Sequence, residues 1–200
     1  MFQRDRVLAV ILFVVVAGCD RTPKIARAQY DPEKSANEAM AIYDADKNGK
    51  IDATEMKKSP ALVHGLANID SDRDQCIDET ELKTALEAYR SSNVWLRDLS
   101  VEVVRKGKPV EGVEVSLIPE MFLTGRIKPA VGITDAKGRA ELKTEGQPYP
   151  GVQLGLFRGV LSRKDAAGKE TLPAKFNVET TLGWEIRPDN RVALTIDLDR

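Results

Sequence analysis

Two acidic segments of the chain carry oxygen-bearing side chains at matching positions. The first covers residues 44–55 and the second covers residues 70–81. Each has Asp or Asn at its first, third and fifth positions and Glu at its twelfth. Carboxylate, amide and carbonyl oxygens are the ligands of a hard divalent cation such as Ca²⁺, which takes about six to eight of them. The spacing therefore predicts two metal-binding loops with calcium as the cofactor.

Both segments resemble the calcium loops of the EF-hand family. The resemblance implies that four side chains and one backbone carbonyl of each loop bind the ion. In the first loop the implied ligands are Asp44, Asp46, Asn48, Lys50 (through its carbonyl) and Glu55. In the second loop they are Asp70, Asp72, Asp74, Cys76 (through its carbonyl) and Glu81. Magnesium is a weaker candidate because it requires stricter octahedral geometry.

The two loops differ at the sixth position, where the sharp turn of an EF-hand requires a glycine. Gly49 meets this requirement, whereas Gln75 stands at the equivalent place. A non-glycine residue in the left-handed conformation costs about 1–2 kcal/mol. The second loop has one more carboxylate, but we expect it to bind calcium more weakly. We also expect Ile51 to pair with Ile77 in a short strand between the loops.

A metal-free interpretation of the loops stays open. Asp52 with Glu55, and Asp78 with Glu81, also have the spacing of a helix N-cap followed by a capping-box acid. A degenerate pair of loops would keep these residues. The short connection at 56–69 resembles compact bacterial extracellular hands and, more loosely, dockerins. It favours a structural calcium module over a calmodulin-like switch.

Helical periodicity surrounds both loops. Asp31 and Pro32 have the types expected at an N-cap and first helical position. Apolar residues at helical spacing then precede the first loop, precede the second loop and follow the second loop. These stripes are Ala36, Ala39, Met40 and Tyr43; Leu62, Val63, Leu66 and Ile69; and Leu82, Ala85, Leu86 and Tyr89. We therefore predict a paired EF-hand domain over residues 32–91.

A different periodicity begins after residue 93. Apolar and polar residues alternate over 101–103, 113–117, 140–144, 152–156 and 192–198, and turn-forming residues separate these runs. Short alternating strands with such turns indicate an antiparallel β-sandwich. The predicted fold is thus α+β with two domains, an α-helical EF-hand pair and a sandwich over residues 95–200.

The β region resembles the carboxypeptidase regulatory-like domains, a transthyretin-like (Ig-like) sandwich family found in bacterial surface lipoproteins. The resemblance rests on residues 108–115 (KPVEGVEV) and 132–142 (GITDAKGRAEL), and extends weakly to 173–176 and the last strand. These motifs are mostly turn chemistry, so they imply a fold rather than a ligand. The segment 119–131 has no counterpart, and it is either a binding element or a simple insertion.

The N-terminus has the pattern of a secreted chain. Arginines in residues 1–6 precede an eleven-residue apolar run at 7–17, which is too short for a membrane-spanning helix, since that takes about 20 residues. Residues 16–19 (VAGC) resemble the lipobox of bacterial lipoproteins. The resemblance implies a signal peptide at 1–18, lipidation of Cys19 and a tether at 19–31. An ordinary signal peptide is the alternative. Asp20, which follows the cysteine, resembles the inner-membrane retention signal of enterobacterial lipoproteins. That rule does not transfer between bacterial groups, so the choice between the inner and outer membranes stays open.

Cysteine usage agrees with a lipid anchor. The chain has two cysteines, and if Cys19 carries lipid, Cys76 has no partner for an intrachain disulfide. The same scarcity argues against a zinc site. We therefore expect a protein of the cell envelope that is attached to the membrane and faces the periplasm or the cell exterior.

Charge and motif content restrict the function. The net charge of −1 gives no basic footprint, so nucleic acid is not an expected partner. The only histidine is His64, and no nucleophile elbow or phosphate-binding loop is present. The sequence favours a non-enzymatic calcium-binding lipoprotein whose sandwich binds an unknown protein or carbohydrate. A dockerin-like docking module, or an accessory module of a surface enzyme, is the alternative. Trp95 and Trp184 are expected in the core rather than on a sugar.

Overall fold

The computed structural model describes residues 23–189 and 192–199. The predicted signal peptide, Cys19 and the first part of the tether lie outside the described residues. Within the described residues there are three α-helices, α1 (Pro32–Tyr43), α2 (Pro60–Ile69) and α3 (Glu79–Ser91). Short 3₁₀ helices occur at Glu55–Lys58, Met121–Leu123 and Ala174–Phe176. No helix of the described part is long and apolar enough to cross a membrane.

The strands fall into three sheets. In chain order they are β1 (Lys50–Ile51), β2 (Ile77–Asp78), β3 (Leu99–Arg105), β4 (Lys108–Pro109), β5 (Glu114–Pro119), β6 (Ala130–Ile133), β7 (Arg139–Glu141), β8 (Lys143–Thr144), β9 (Gly155–Ser162), β10 (Gly183–Ile186) and β11 (Val192–Asp197). Strands β1 and β2 form a ribbon, and β10-β9-β5-β6-β8 form a five-stranded sheet. In the remaining sheet β11 borders one edge of β3, and β4 and β7 pair with the other. The protein is therefore a mixed α+β chain with a β-rich C-terminal part.

The helices begin where the sequence provides caps. The Asp31 carboxylate accepts a hydrogen bond from the Lys34 backbone N–H at 3.1 Å, and Pro32 starts α1 as predicted. Asp78 and Glu81 form a complete capping box at the start of α3. The predicted stripe on α2 is wrong at Val63, which is 52% exposed because that face of the helix points away from the core.

The prediction of a wholly antiparallel β region is wrong at one pair. Strand β11 runs parallel to β3, from Val192 opposite Leu99 to Asp197 opposite Val104. A parallel pair requires a long crossover between its strands rather than a hairpin. Here the intervening chain, which contains the whole five-stranded sheet, provides that crossover. The sheet that contains β3 is therefore mixed.

The strands also differ from the alternation pattern in their bounds and number. The alternation predicts a strand over 152–156, but β9 begins only at Gly155 and continues to Ser162. Arg158 and Gly159 interrupt the apolar pattern of this strand, so the alternation does not extend to its end. Strand β10 was not predicted, since all four of its residues are buried and show no alternation.

The helical and β regions share one hydrophobic cluster, which runs from Tyr30 to Leu198. Helix α2 packs against β9 and β10. The contact is close at Gly183, where a Cβ atom would lie 2.0 Å from the carbonyl oxygen of Pro60. Tyr43 at the end of α1 meets Phe122 edge-on, with ring centroids 6.2 Å apart. The loops that carry the acidic residues are therefore held by helices anchored on the β region.

Candidate metal centre

The two acidic loops are placed side by side by the ribbon of β1 and β2. Lys50 pairs with Asp78, and Ile51 pairs with Ile77, as predicted from the eighth positions of the loops. Both isoleucines are fully buried. The first loop leaves the C-terminus of α1 and the second leaves the C-terminus of α2. This arrangement relates the two loops as a pair around a common antiparallel bridge.

In the first loop, backbone N–H groups fold the chain around three carboxylates. Asp44 accepts hydrogen bonds from the N–H groups of Asn48 (3.1 Å) and Gly49 (3.0 Å). Asp46 also accepts one from Asn48, at 3.1 Å. Glu55, which is only 8% exposed, accepts one from Ala45 at 2.6 Å. These bonds turn carboxylate oxygens of Asp44, Asp46 and Glu55 toward one point, within 4.8 Å of one another.

The second loop repeats this pattern almost bond for bond. Asp70 accepts hydrogen bonds from the N–H groups of Asp74 (3.2 Å) and Gln75 (2.9 Å). Asp72 accepts a second bond from Asp74 at 3.0 Å. Carboxylate oxygens of Asp70, Asp72 and Asp74 lie within 4.8 Å of one another. Oxygen-only groups of this kind could hold a metal ion.

Glu81 occupies the place in the second loop that Glu55 has in the first. Its Oε1 accepts hydrogen bonds from the backbone N–H groups of Ser71 (2.7 Å) and Asp72 (3.3 Å). Its Oε2 accepts one from the N–H of Asp78 at 3.1 Å. Like Glu55 it is 8% exposed. These bonds tie the carboxylate to the start of its loop, but the cluster of the second loop does not include Glu81, whereas that of the first includes Glu55.

The other predicted ligands, Asn48, Lys50 and Cys76, lie in the same two loops. The Asn48 side-chain oxygen accepts a hydrogen bond from the N–H of Lys50 at 2.8 Å. Lys50 begins β1, and Cys76 immediately precedes β2. Cys76 is a free thiol, and burial raises its pKa. Its N–H donates to Asp74 at 2.8 Å.

The backbone has a positive φ at the sixth position of both loops. The φ angle is 86° at Gly49 and 67° at Gln75, which confirms the expected turn at each place. Positive φ also occurs at the fourth positions, at Lys47 and Arg73. The glutamine thus adopts the turn that a glycine adopts in the first loop. This conformation is less favourable for glutamine, because its Cβ atom lies close to the following carbonyl oxygen.

One cross-loop contact was not predicted. The Lys50 ammonium group forms a close ion pair with the carboxylate of Asp74, so a residue of the first loop reaches a predicted ligand of the second. The hydrogen bond between them raises the pKa of Lys50 and lowers that of Asp74. The register of β1 against β2 brings the two residues together, and only the pairing of Ile51 with Ile77 could have indicated it from the sequence.

Two buried glutamates attach the helices to the β region, and no pattern in the sequence indicates either of them. The carboxylate of Glu120 accepts hydrogen bonds from the Tyr43 hydroxyl (3.2 Å) and the Ala61 N–H (3.1 Å). The carboxylate of Glu185 accepts one from the Asn68 side chain (2.6 Å) and a short one from the Tyr89 hydroxyl. The segment 119–131, whose role was open, therefore contacts the helices.

The other residues singled out in the sequence are one histidine and two tryptophans. His64 lies on the exposed side of α2, and its Nδ1 accepts a hydrogen bond from the Glu185 N–H at 3.4 Å. Trp184 is buried as predicted, but Trp95 is 36% exposed. The prediction of a core position for Trp95 is therefore wrong, since it lies at the surface between α3 and β3.

Comparison with known proteins gives little further information. No family model matches the chain, and no curated protein matches it. Among solved structures, the chain is similar to the crystal structure of a variant of the major pilin subunit of Bacillus cereus. The TM-score is 0.34 and the identity 16%, and the match covers 52% of this chain and 30% of the pilin. A likeness this slight carries no argument about fold or function.

Proposed function

We propose that the protein is a non-enzymatic, calcium-binding lipoprotein of the bacterial cell envelope. In this proposal residues 32–91 form an EF-hand pair, and residues 95–200 form a transthyretin-like sandwich for protein interaction or adhesion. A lipid on Cys19 attaches the protein to the membrane. The observation that carries the proposal is the convergence of Asp44, Asp46 and Glu55 within 4.8 Å, in a loop bridged to a second loop of the same design.

The donor chemistry supports calcium. The side-chain donors of the two loops are carboxylate and amide oxygens, which suit a hard cation, and the clusters contain neither a histidine nor a thiolate. The buried carboxylate of Glu55 belongs to the first cluster, which supports its role as the closing ligand, and we propose the same role for Glu81 in the second loop. Metal binding would also offset the mutual repulsion of the clustered carboxylates, which is greatest in the second loop with its three aspartates.

The packing of the helices supports a constitutive role rather than a switch. A sensor exposes an apolar groove when its helices open. Here the apolar faces of α1, α2 and α3 belong to the core that they share with the β region. Opening would also break the hydrogen bonds from Tyr43 and Tyr89 to the buried glutamates. Calcium would therefore stabilise the loops without exposing a new surface.

Calorimetric titration with Ca²⁺ and, separately, Mg²⁺ tests the proposal. We expect calcium heat with a dissociation constant on the order of 10⁻⁴–10⁻³ M, as in extracellular modules. Saturation to ten times that constant should stabilise the fold by about 1.4 kcal/mol, which raises Tm by about 3–6 °C. A protein that shows neither heat nor a Tm shift at millimolar calcium has no calcium function.

The lipid anchor requires its own test. Mass spectrometry of the N-terminal peptide, after expression of the full chain in a bacterium, is expected to show cleavage before Cys19 and an acylated cysteine. The Cys19→Ala variant should leave the membrane fraction. An N-terminus cleaved elsewhere, with an unmodified Cys19, would contradict the anchor and leave the calcium proposal in place.

A further inference from the structure

The surface beside the start of the described chain has an unusual composition. Trp95 and Tyr149 are 36% and 47% exposed, and together with residues 23–25, Arg27 and Gln29 they line an open surface cavity. The Arg27 guanidinium lies over the Trp95 ring, 4.1 Å from its centroid. We call Lys24, Arg27, Trp95 and Tyr149 the tether patch.

The patch is fixed to the body of the protein. The Gln147 side chain accepts a hydrogen bond from the Ala26 N–H at 3.0 Å and donates one to the Ala26 carbonyl at 2.8 Å. Gln153 donates a further bond to the same carbonyl at 3.3 Å. Both glutamines are buried. Residues 23–29 therefore keep a defined position against the β region.

The charge of the surface is of one sign. A smaller cavity adjoins this one and shares Arg27 and Trp95 with it. The charged residues that line the two cavities are all basic, namely Lys24, Arg27 and Arg90. Exposed Trp and Tyr next to Lys and Arg suit the boundary between lipid headgroups and water. Each basic residue near an anionic lipid surface contributes about 1 kcal/mol of attraction.

The sequence places this surface close to the proposed anchor. Cys19 precedes Pro23 by four residues. Four residues span at most about 14 Å when fully extended, which is little more than the Debye length of about 8–10 Å. A lipid on Cys19 would therefore hold the tether patch within electrostatic reach of the membrane.

We propose that the tether patch rests on the anionic headgroup region of the bilayer that holds the lipid of Cys19. This inference builds on the lipid anchor of the proposed function. A carbohydrate is the other ligand that exposed aromatic rings suggest. The Arg27 guanidinium, however, covers the Trp95 face on which a sugar ring would stack. The orientation would point Trp95 and Tyr149 toward the lipid.

Tryptophan fluorescence of the full lipidated chain tests the orientation. The protein is reconstituted into vesicles of equal parts phosphatidylcholine and phosphatidylglycerol, with or without bromine on the acyl chains near the headgroup. Brominated lipid should quench the Trp95 emission. The Trp95→Phe variant, which retains only the buried Trp184, should lose no emission.

Vesicle partition of the mature chain, which begins at residue 19, carries Cys19→Ala and lacks the apolar run at 7–17, tests the patch without the anchor. Chelator is present, so that calcium does not bridge the acidic loops to lipid phosphates. Adding Lys24→Gln and Arg27→Gln should weaken partition onto the anionic vesicles about thirtyfold. The matched control Lys57→Gln with Lys58→Gln removes two exposed charges from outside the patch and should have little effect.

The outcomes separate this inference from the lipid anchor. A chain that is acylated and floats with the vesicles, but whose Trp95 emission is not quenched, overturns the proposed orientation and keeps the anchor. An unmodified Cys19 overturns the anchor, and the partition assay still decides the patch. Equal loss of partition in both double variants, or a Trp95 response to cell-wall glycan fragments instead of lipid, overturns the membrane assignment.

Discussion

The two acidic loops have the same shape but reach it under different conditions. In both, the first aspartate accepts hydrogen bonds from the N–H groups at the fifth and sixth positions, and the twelfth residue accepts bonds from the start of the loop. Yet the first loop turns at Gly49 and the second at Gln75, both with positive φ. The hydrogen bonds of the aspartates therefore define the turn, and the residue at the sixth position determines its energetic cost.

The loops also differ in the charge that surrounds them. The first cluster includes a buried Glu55, whereas the second consists of three aspartates, one of which is paired with Lys50. The ammonium group offsets part of the repulsion of the second loop before any metal binds. A metal ion at the second loop would meet this cation, whereas an ion at the first would not. The second loop is thus expected to be the weaker site for two independent reasons.

Removal of the twelfth-position carboxylate should have the largest effect on the difference in calcium affinity between the two loops. Glu55→Gln leaves the buried amide without the charge that balances the metal ion, and the loss of one charge of a buried pair costs about 3–5 kcal/mol. We expect the first loop to lose affinity more than a hundredfold, so that calorimetry detects only the weaker site. Glu81→Gln should instead remove the weaker site and leave the stronger one.

A uniform loss in both variants would contradict the independence of the loops. Retained calcium affinity in Glu55→Gln would show that Glu55 is not a ligand of the first loop, whereas an unsubstituted protein that binds no calcium would favour the metal-free capping-box interpretation. The far-ultraviolet circular dichroism of each variant checks that α1 and α3 remain folded.

The loops could be predicted in such detail because their information is local. Ligand spacing, the turn at Gly49 and the pairing of Ile51 with Ile77 are all contained within short stretches of sequence. The caps at Asp31 and Asp78 are local as well. Each prediction depended on residues within one turn or one loop or, for the isoleucine pair, on matching positions of two similar loops, where the chain has few alternative conformations.

The missed features depend on contacts between distant parts of the chain. Glu120 and Glu185 look like ordinary surface residues in the sequence, because charged side chains are rarely buried unless they are paired. Their partners in the helices are 59 to 117 residues away. The parallel pairing of β11 with β3 also joins the two ends of the β region. Local periodicity contains no information on these contacts.

The two loops also differ in the buried glutamate that attaches their flanking helices to the β region. Glu120 binds the end of α1 and the start of α2, and Glu185 binds residues of α2 and α3. Glu120→Ala leaves the buried Tyr43 hydroxyl and Ala61 N–H unpaired, whereas Glu185→Ala leaves one buried donor, the Tyr89 hydroxyl, because Asn68 is exposed. Each such group costs about 1–3 kcal/mol. In denaturant unfolding we expect Glu120→Ala to lose about 2–4 kcal/mol and Glu185→Ala about 1–3 kcal/mol. Glu120→Ala should affect calcium binding at the first loop more than at the second, and Glu185→Ala the reverse.

The pH dependence of stability gives an independent check on Glu120. Burial raises the pKa of this carboxyl group, so the folded state holds its proton at a pH where the unfolded state has lost it. Its stabilising contribution is therefore full below the unfolded pKa and is lost as the pH rises through the folded pKa. Glu120→Gln should flatten this part of the stability curve, and an unchanged curve would show that Glu120 remains ionised.

Exchange of the sixth-position residues should have a smaller effect. Gly49→Gln introduces a side chain at a φ of 86°, at a cost of about 1–2 kcal/mol, although no atom lies within 4 Å of the new Cβ. Gln75→Gly removes the same strain, but its gain should be below about 1 kcal/mol because glycine loses more backbone entropy on folding. Chemical denaturation in chelator measures both. Equal stability of all three proteins would mean that the aspartate hydrogen bonds absorb the strain.

The cross-loop ion pair should produce the smallest and most salt-sensitive difference. Lys50→Gln removes the cation beside Asp74, so calcium no longer meets a positive charge at the second loop. Both side chains are partly exposed, and exposed pairs are weak. We therefore expect calcium affinity at the second loop to rise only a few-fold, most clearly at low ionic strength. The gain should fade at high salt, because the Debye length shortens to about 3 Å at 1 M.

Lys47→Gln is the matched control, because it removes the same charge from an exposed position of the same loop without touching the ion pair. If the contact matters, Lys50→Gln should raise the affinity of the second loop more than Lys47→Gln does. An equal rise in both variants would assign the effect to the overall field of the loops. The weakness of the second loop would then follow from Gln75 and its crowded aspartates alone.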